Sequence, residues 1–290
     1  TATPSEAPET QPATVQGCGS GEVRMLSAAD GGYYYTSFTD SEVNRTDEIG
    51  RILIYAIDEA TGTARPACNL LGCTHDSDDC PAHITGTATC YADGGEVYLY
   101  ICQYKEAEDT TVFRLEKISA DHTQRVCLAD DLPFGWVQPT GMAADDSYLY
   151  FLTTNNYSDT TMSAMLLAVS KETGDRQTLY QMDNLENGRG STRQVTFINL
   201  AGARGRQLYF SRSENAPANT ASAEQLWCYD LASKQCTQIP YCDTDEDSSA
   251  LSYYTLTGYE GSFSSGIAVC NKQTGMASVL DAASGESTLL

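Results

Sequence analysis

The sequence predicts an all-β protein, a β-propeller of five four-stranded blades. Strands centred on tyrosine recur along the chain, Gly- and Asp-rich turns punctuate them, and long polar segments recur at the same place in every unit. The strand cores are Tyr33-Tyr34-Tyr35, Val97-Tyr98-Leu99-Tyr100, Tyr148-Leu149-Tyr150-Phe151 and Leu208-Tyr209-Phe210. Asp30-Gly31-Gly32, Asp93-Gly94-Gly95 and Asp145-Asp146-Ser147 lead directly into the first three, and Gly205 precedes the fourth. Gly and Asp suit tight hairpin turns because positions there require φ above zero.

A second hairpin follows each of these strands. Ile52–Ile57, Val112–Leu115, Leu166–Val169, Leu226–Tyr229 and Ser278–Leu280 each run into a polar turn. Gly62, His122, Gly174, Lys234 and Gly285 occupy equivalent turn positions, about 50 to 60 residues apart, in the range of propeller blades. The third blade reads as strands Val137–Ala143, Tyr148–Thr153, Ala164–Ser170 and Arg176–Gln181, and the fifth as Ser252–Thr257, Gly266–Cys270, Met276–Leu280 and Glu286–Leu290. The blades then cover about 22–67, 86–129, 137–181, 194–240 and 251–290. Glu22–Leu26 is expected to open the first blade as its innermost strand, and the last blade to end on its own outer strand. Closure then rests on side-to-side packing, or on further blades outside this sequence. A double-sheet sandwich also uses many short strands, but a regular repeat with its long segments in register favours the propeller.

Composition agrees and narrows the functions. The chain of 290 residues carries 18 Tyr against 7 Phe and 2 Trp, and Tyr fits a half-buried pleated surface. With 17 Lys plus Arg against 39 Asp plus Glu, the net charge of −22 repels phosphate backbones and anionic headgroups, which excludes nucleic acid and direct membrane binding. Residues 1–17, built from Thr, Ala, Pro, Ser, Glu and Gln, read as a disordered tether downstream of an export signal, ahead of a propeller over 18–290. The expected setting is extracellular, anchored at the cell surface.

The densest chemistry is the insertion 68–90, read as the connection from blade one to blade two. Cys68, Cys73, His75 and Cys80 form a Cys-x4-Cys-x-His-x4-Cys set, with His83, Cys90, Asp76, Asp78 and Asp79 nearby. Three thiols and an imidazole match a closed structural zinc site, and disulfides in an oxidising compartment fit equally. Of the other cysteines, Cys102, Cys127 and Cys270 read as small buried strand residues, and Cys228 and Cys236 as facing one another across a hairpin. Cys18 and Cys242 fall in loops. His122 reads as an exposed turn histidine.

The stretch Pro66-Ala67-Cys68 through Cys73-Thr74-His75-Asp76 to Asp79-Cys80-Pro81, after a Tyr-rich first blade, resembles a group of uncharacterised β-propeller lipoproteins of Gram-positive gut anaerobes. The resemblance implies surface attachment through an upstream N-terminal lipid, and it implies no activity, substrate or site residue.

Catalytic motifs of the Gly-x-Ser-x-Gly, His-Glu-x-x-His and phosphate-loop kinds are absent from the sequence. The long segments Thr39–Gly50, Gln103–Thr110, Thr154–Ser163 and Ser211–Glu224, with Asp130–Trp136, Met182–Arg193 and Tyr241–Ala250, all fall on one face of a propeller. Phe134, Trp136, Tyr104 and Tyr157 lie in or beside them as candidate ligand contacts. The expected function is therefore a non-catalytic binding or scaffold protein for a glycan, peptide or protein. The alternative is a polysaccharide-active hydrolase with paired carboxylates in the central pocket.

Overall fold

The computed structural model describes residues 21–28, 33–38, 51–58, 60–132, 141–158, 161–184, 194–215, 224–239, 251–255, 267–271, 277–280 and 287–289. These residues form five antiparallel sheets and no α-helix, with a single 3-10 turn at Glu106–Glu108. None of the described segments is a helix long and apolar enough to cross a membrane. The expected tether, Cys18, Cys242, Phe134 and Trp136 lie outside the described residues.

Sheet I contains β2 (Tyr33–Phe38), β3 (Arg51–Ile57), β4 (Ala64–Pro66) and β5 (His83–Thr85). Sheet II runs in sequence order through β6 (Thr87–Asp93), β7 (Glu96–Lys105), β8 (Thr110–Ile118) and β9 (Arg125–Ala129). Sheet III contains β10 (Met142–Ala144), β11 (Tyr148–Ser158), β12 (Thr161–Ser170) and β13 (Arg176–Asn184), flanked by β1 (Arg24–Leu26). Sheet IV contains β14 (Gln194–Arg204), β15 (Gln207–Asn215), β16 (Glu224–Asp230) and β17 (Gln235–Gln238). Sheet V contains β18 (Leu251–Thr255), β19 (Ile267–Asn271), β20 (Ala277–Leu280) and β21 (Ser287–Leu289).

Successive residues of a strand face opposite sides, and the near-continuous apolar cores are strands covered on both sides. In β7, Val97, Leu99 and Ile101 enter an apolar cluster with sheet I, while Tyr98 and Tyr100 enter one with sheet III. In β11, Leu149 and Phe151 turn toward sheet II, and Tyr150 and Leu152 toward sheet IV. In β15, Leu208 and Phe210 face sheet III and Tyr209 faces sheet V. Each consecutive pair of sheets is thus joined by its own core, and each side chain fully buried there contributes about 1.5–3 kcal/mol.

The equivalence of the turns holds in the backbone. Gly62, His122, Gly174 and Lys234 all adopt left-handed conformations, with φ of 65°, 56°, 75° and 58°. Gly285 lies outside the described residues. Gly174 has a second constraint: a Cβ there would overlap the Leu128 carbonyl of sheet II, whereas one at Gly62 would meet open space.

Three expectations are corrected. First, β1 does not open the first unit; Arg24, Met25 and Leu26 pair with Ala144, Ala143 and Met142. Strand β10 is fully buried, so its outer edge needs a hydrogen-bonding partner, and β1 supplies it. Ser27 bridges to Ala92 of sheet II and the Val23 amide donates to Gly205 O of sheet IV, so the segment spans three sheets. Second, the segment expected as a loop over Thr154–Ser163 is largely strand, because β11 and β12 continue pairing out to Ser158 and Thr161. Its Thr and Asn residues suit an exposed hairpin whose backbone is satisfied by the ladder.

Third, several single-residue expectations fail. His122 is 7% exposed and hydrogen-bonded through Nε2 to the Tyr34 hydroxyl at 3.2 Å, because its turn folds under sheet I. Cys228 pairs with Thr237, and Cys236 with Tyr229, so the two thiols do not face one another. They lie on opposite faces, Cys228 toward sheet V and Cys236 toward sheet III. Cys127 is exposed on the edge strand β9.

Candidate metal centre

The cysteine-rich segment is not a connection between units. Strands β4 and β5 lie end to end along one edge of β3, with Tyr55–Ile57 paired to Ala64–Pro66 and Arg51–Leu53 paired to His83–Thr85. The excursion leaves and returns at one residue: the Ala67 amide donates to Ile54 O at 2.8 Å, and the Ile54 amide donates to Ala82 O at 2.9 Å. Ala67 and Ala82 are fully buried there. Residues 68–81 therefore interrupt the outer strand of sheet I, and strand β6 of sheet II begins soon after, at Thr87.

Within the excursion the backbone turns inward repeatedly. The Cys73 amide donates to Leu70 O at 3.3 Å across Gly72, whose φ is 76°. The Cys80 amide donates to Ser77 O at 3.0 Å, and the His83 amide to Cys80 O at 3.1 Å. These turns gather the thiols of Cys68, Cys73 and Cys80 and the His75 imidazole so that the candidate ligand atoms all lie within 4.8 Å of one another. His75 Nδ1 is 3.3 Å from Cys80 Sγ. The His75 backbone is left-handed, with φ of 60°, an uncommon conformation for a non-glycine residue. All nine cysteines among the described residues are free thiols.

Cys80 is the buried member of the set, and Cys68 and Cys73 pack against the same apolar cluster between sheets I and II. Burial, reinforced by hydrogen bonds with the Cys73 and Cys68 thiols, pushes the Cys80 thiol up to about 12. Crowded thiols resist collecting negative charge, and a bound divalent cation reverses that preference. Leu70 and Leu71 are exposed, so neither gives the loop an apolar core of its own. Ile84, by contrast, is fully buried in β5.

Around this set are contacts the sequence does not announce. Asp78 accepts from Thr85 Oγ1 at 3.1 Å and is hydrogen-bonded to His83 Nδ1 at 3.1 Å, closing the base of the excursion. Asn69 Nδ2 donates to Asp121 O at 2.7 Å, and the Asn69 amide donates to His122 O at 2.9 Å. Arg125 donates to the His83 and Pro81 carbonyls and to Asp78 O, the last at 3.1 Å.

A second polar feature is a recess of about 510 Å³ on the side of the short turns, opposite the expected looped face. Its inner wall holds Asp93 between Arg24 and Lys171 Nζ, the latter at 2.5 Å. Asp145 accepts from the Tyr150 hydroxyl at 2.6 Å and from the amides of Ser147 and Tyr148, each at 2.8 Å. Glu96 pairs with Lys117 at 2.9 Å and accepts from the Tyr98 hydroxyl at 2.6 Å. Asp146 and Glu172 also line the recess and form no ion pair with a described residue.

Of the four expected ligand contacts, Tyr104 has a described side chain, and Phe134 and Trp136 lie outside the described residues. Tyr104 is exposed at the end of β7 and donates to Asp109 at 2.6 Å, and only the backbone of Tyr157 is described, in β11.

No known family profile and no curated protein matches the chain. Among solved structures it is similar to Zg3597, a family 117 glycoside hydrolase of the marine bacterium Zobellia galactanivorans, with a TM-score of 0.38 and 11% identity over 86% of this chain and 78% of that one. The expectation of a non-catalytic binding or scaffold protein is corrected to this extent: the solved structure found similar is that of a glycoside hydrolase.

Proposed function

We propose that the chain is a β-propeller whose Cys68, Cys73, His75 and Cys80 hold one structural zinc ion. The observation that carries the metal is the convergence of all four ligand atoms within 4.8 Å. A tetrahedral zinc with thiolates at about 2.3 Å has sulfur–sulfur edges of about 3.8 Å, inside that limit. A disulfide joins two sulfurs at about 2.05 Å and has no use for a third thiol or for an imidazole. The left-handed backbone of His75 has a reason if it aims a ligand. With four protein ligands the ion has no open position, so its role is to hold the split strand of sheet I together. Metal analysis of protein purified without chelator tests this: about one zinc per chain is expected. Absence of zinc, with thiols unreactive after denaturation, replaces the metal by disulfides.

The sequential packing of the five sheets and the repeated left-handed turns are what successive propeller blades require, and in the propeller reading the ring closes by packing sheet V against sheet I. Spin labels on β3 and β20 should lie closer together than labels on β3 and β12. The opposite order means an open stack.

Polysaccharide hydrolysis is the activity carried forward, on the observation that Asp146 and Glu172 flank the recess while its other carboxylates are engaged. Glycoside hydrolysis needs two carboxyl groups, one as acid and one as base or nucleophile. The net charge of −22 favours a neutral polysaccharide over an anionic one. Reducing-sugar release from a panel of neutral polysaccharides, abolished in Asp146→Asn and in Glu172→Gln, is the expected result. No release, or release that both variants retain, rejects the assignment.

A further inference from the structure

We infer that the metal-binding excursion is a clamp between sheets I and II, in which Asn69 and Arg125 are positioning residues for the metal site. The inference rests on the zinc reading above and goes beyond it, because a structural metal need only order its own loop. Here the neighbours of the ligands reach into the next sheet. Asn69, adjacent to ligand Cys68, holds the Ser119–Gln124 turn through its side chain and its amide. The carboxamide oxygen of Asn69 accepts from Arg65 at 2.9 Å, which fixes its orientation. Near the other end of the excursion, Arg125 of β9 donates to three carbonyls around ligand Cys80: those of Asp78, Pro81 and His83. The Arg125 guanidinium is held in place by Glu116, with Nε 3.0 Å from the carboxylate.

One grip lies at the start of the excursion and the other at its end, the backbone on either side of it meets at Ile54, and the cysteines between them pack on the cluster shared by the two sheets. A planar guanidinium can satisfy three carbonyls at once only while the excursion keeps its shape. The metal therefore fixes the carbonyls that Arg125 reads and the backbone that carries Asn69. By linkage, whatever metal loading adds to the junction, the junction returns to metal affinity by the same factor.

Hydrogen exchange on the full chain, loaded with zinc and then stripped with chelator, tests the clamp. Stripping should speed exchange in residues 119–129 of sheet II as well as in residues 68–83. Acceleration confined to residues 68–83 overturns the inference and leaves the zinc site standing. A chain that takes up no zinc overturns both readings. Competition titration against a zinc chelator adds a readout that a merely structural role would not move. Asn69→Ala and Arg125→Lys, the second keeping the charge beside Glu116, should each weaken zinc binding by on the order of tenfold. Both variants binding zinc as the parent chain does would also overturn the clamp.

Discussion

Sheet II meets sheet III through large rings and sheet I through aliphatic side chains and a polar loop. On the sheet III side, Tyr98, Tyr100, Phe113 and Phe151 interlock, with Tyr100 and Phe151 at 5.8 Å in an edge-to-face arrangement. The Arg24–Asp93–Lys171 trio closes that junction at the turn end. On the sheet I side, Val97, Leu99 and Ile101 meet Ile52, Ile54 and Ile84, and the outer end is finished by the cysteine-rich excursion. The first junction is self-sufficient because rings bury much area and pack edge to face. The second runs through a strand split in two, so its outer end depends on whatever crosslinks residues 68–81.

The contrast can be broken most forcefully at the ring-packed junction. Phe151→Ala should lower unfolding free energy by about 3–5 kcal/mol, measured by denaturant titration, since the cavity opens among fully buried neighbours. Gly174→Ala should follow at about 2–4 kcal/mol, combining left-handed strain with overlap of the Leu128 carbonyl. The same change at Gly62, where nothing lies nearby, should cost about 1 kcal/mol from strain alone. Equal losses at the two turns would mean that the contact with sheet II contributes nothing.

At the other junction the expected effects are smaller and local. Cys73→Ser should expose residues 68–81 to limited proteolysis while reducing global stability by about 1–2 kcal/mol, the worth of one or two hydrogen bonds at the clamp. A loss as large as that of Phe151→Ala would place the metal site at the centre of folding rather than at the edge of one junction.

The smallest effect is a pH dependence under sheet I. Burial, with help from the Arg65 charge, holds the His122 imidazole below its ordinary range, and Asp121 opposes this only in part. The unfolded chain then takes up a proton first on acidification. The contribution is therefore intact above about pH 6.5, falls as pH drops through that value, and levels off below the folded pKa. Thermal melts from pH 8 to 5 should show this component, and His122→Asn, which tolerates a left-handed backbone, should remove it. A melting profile unchanged by that substitution would show that His122 does not titrate differently in the folded chain.

The parts of this protein legible in the sequence are those whose partners are near in the chain. Near-continuous apolar runs around Tyr98 and Tyr150 specify strands covered on both faces, and tight Gly and Asp turns specify which strands pair, because a short hairpin leaves few other registers. The four candidate ligands fall within 13 residues, so their spacing could be read as a possible site before any contact was known. Tertiary structure decided the rest. Nothing local to Arg24–Leu26 points to Met142–Ala144 more than 100 residues on, because a three-residue strand carries too little pattern to choose its edge. The same holds for His122, buried by Tyr34 from another sheet, and for Asn69 and Arg125, whose acceptors are backbone carbonyls. Every residue type offers a backbone carbonyl, so only the folded arrangement of two sheets determines which ones these side chains reach.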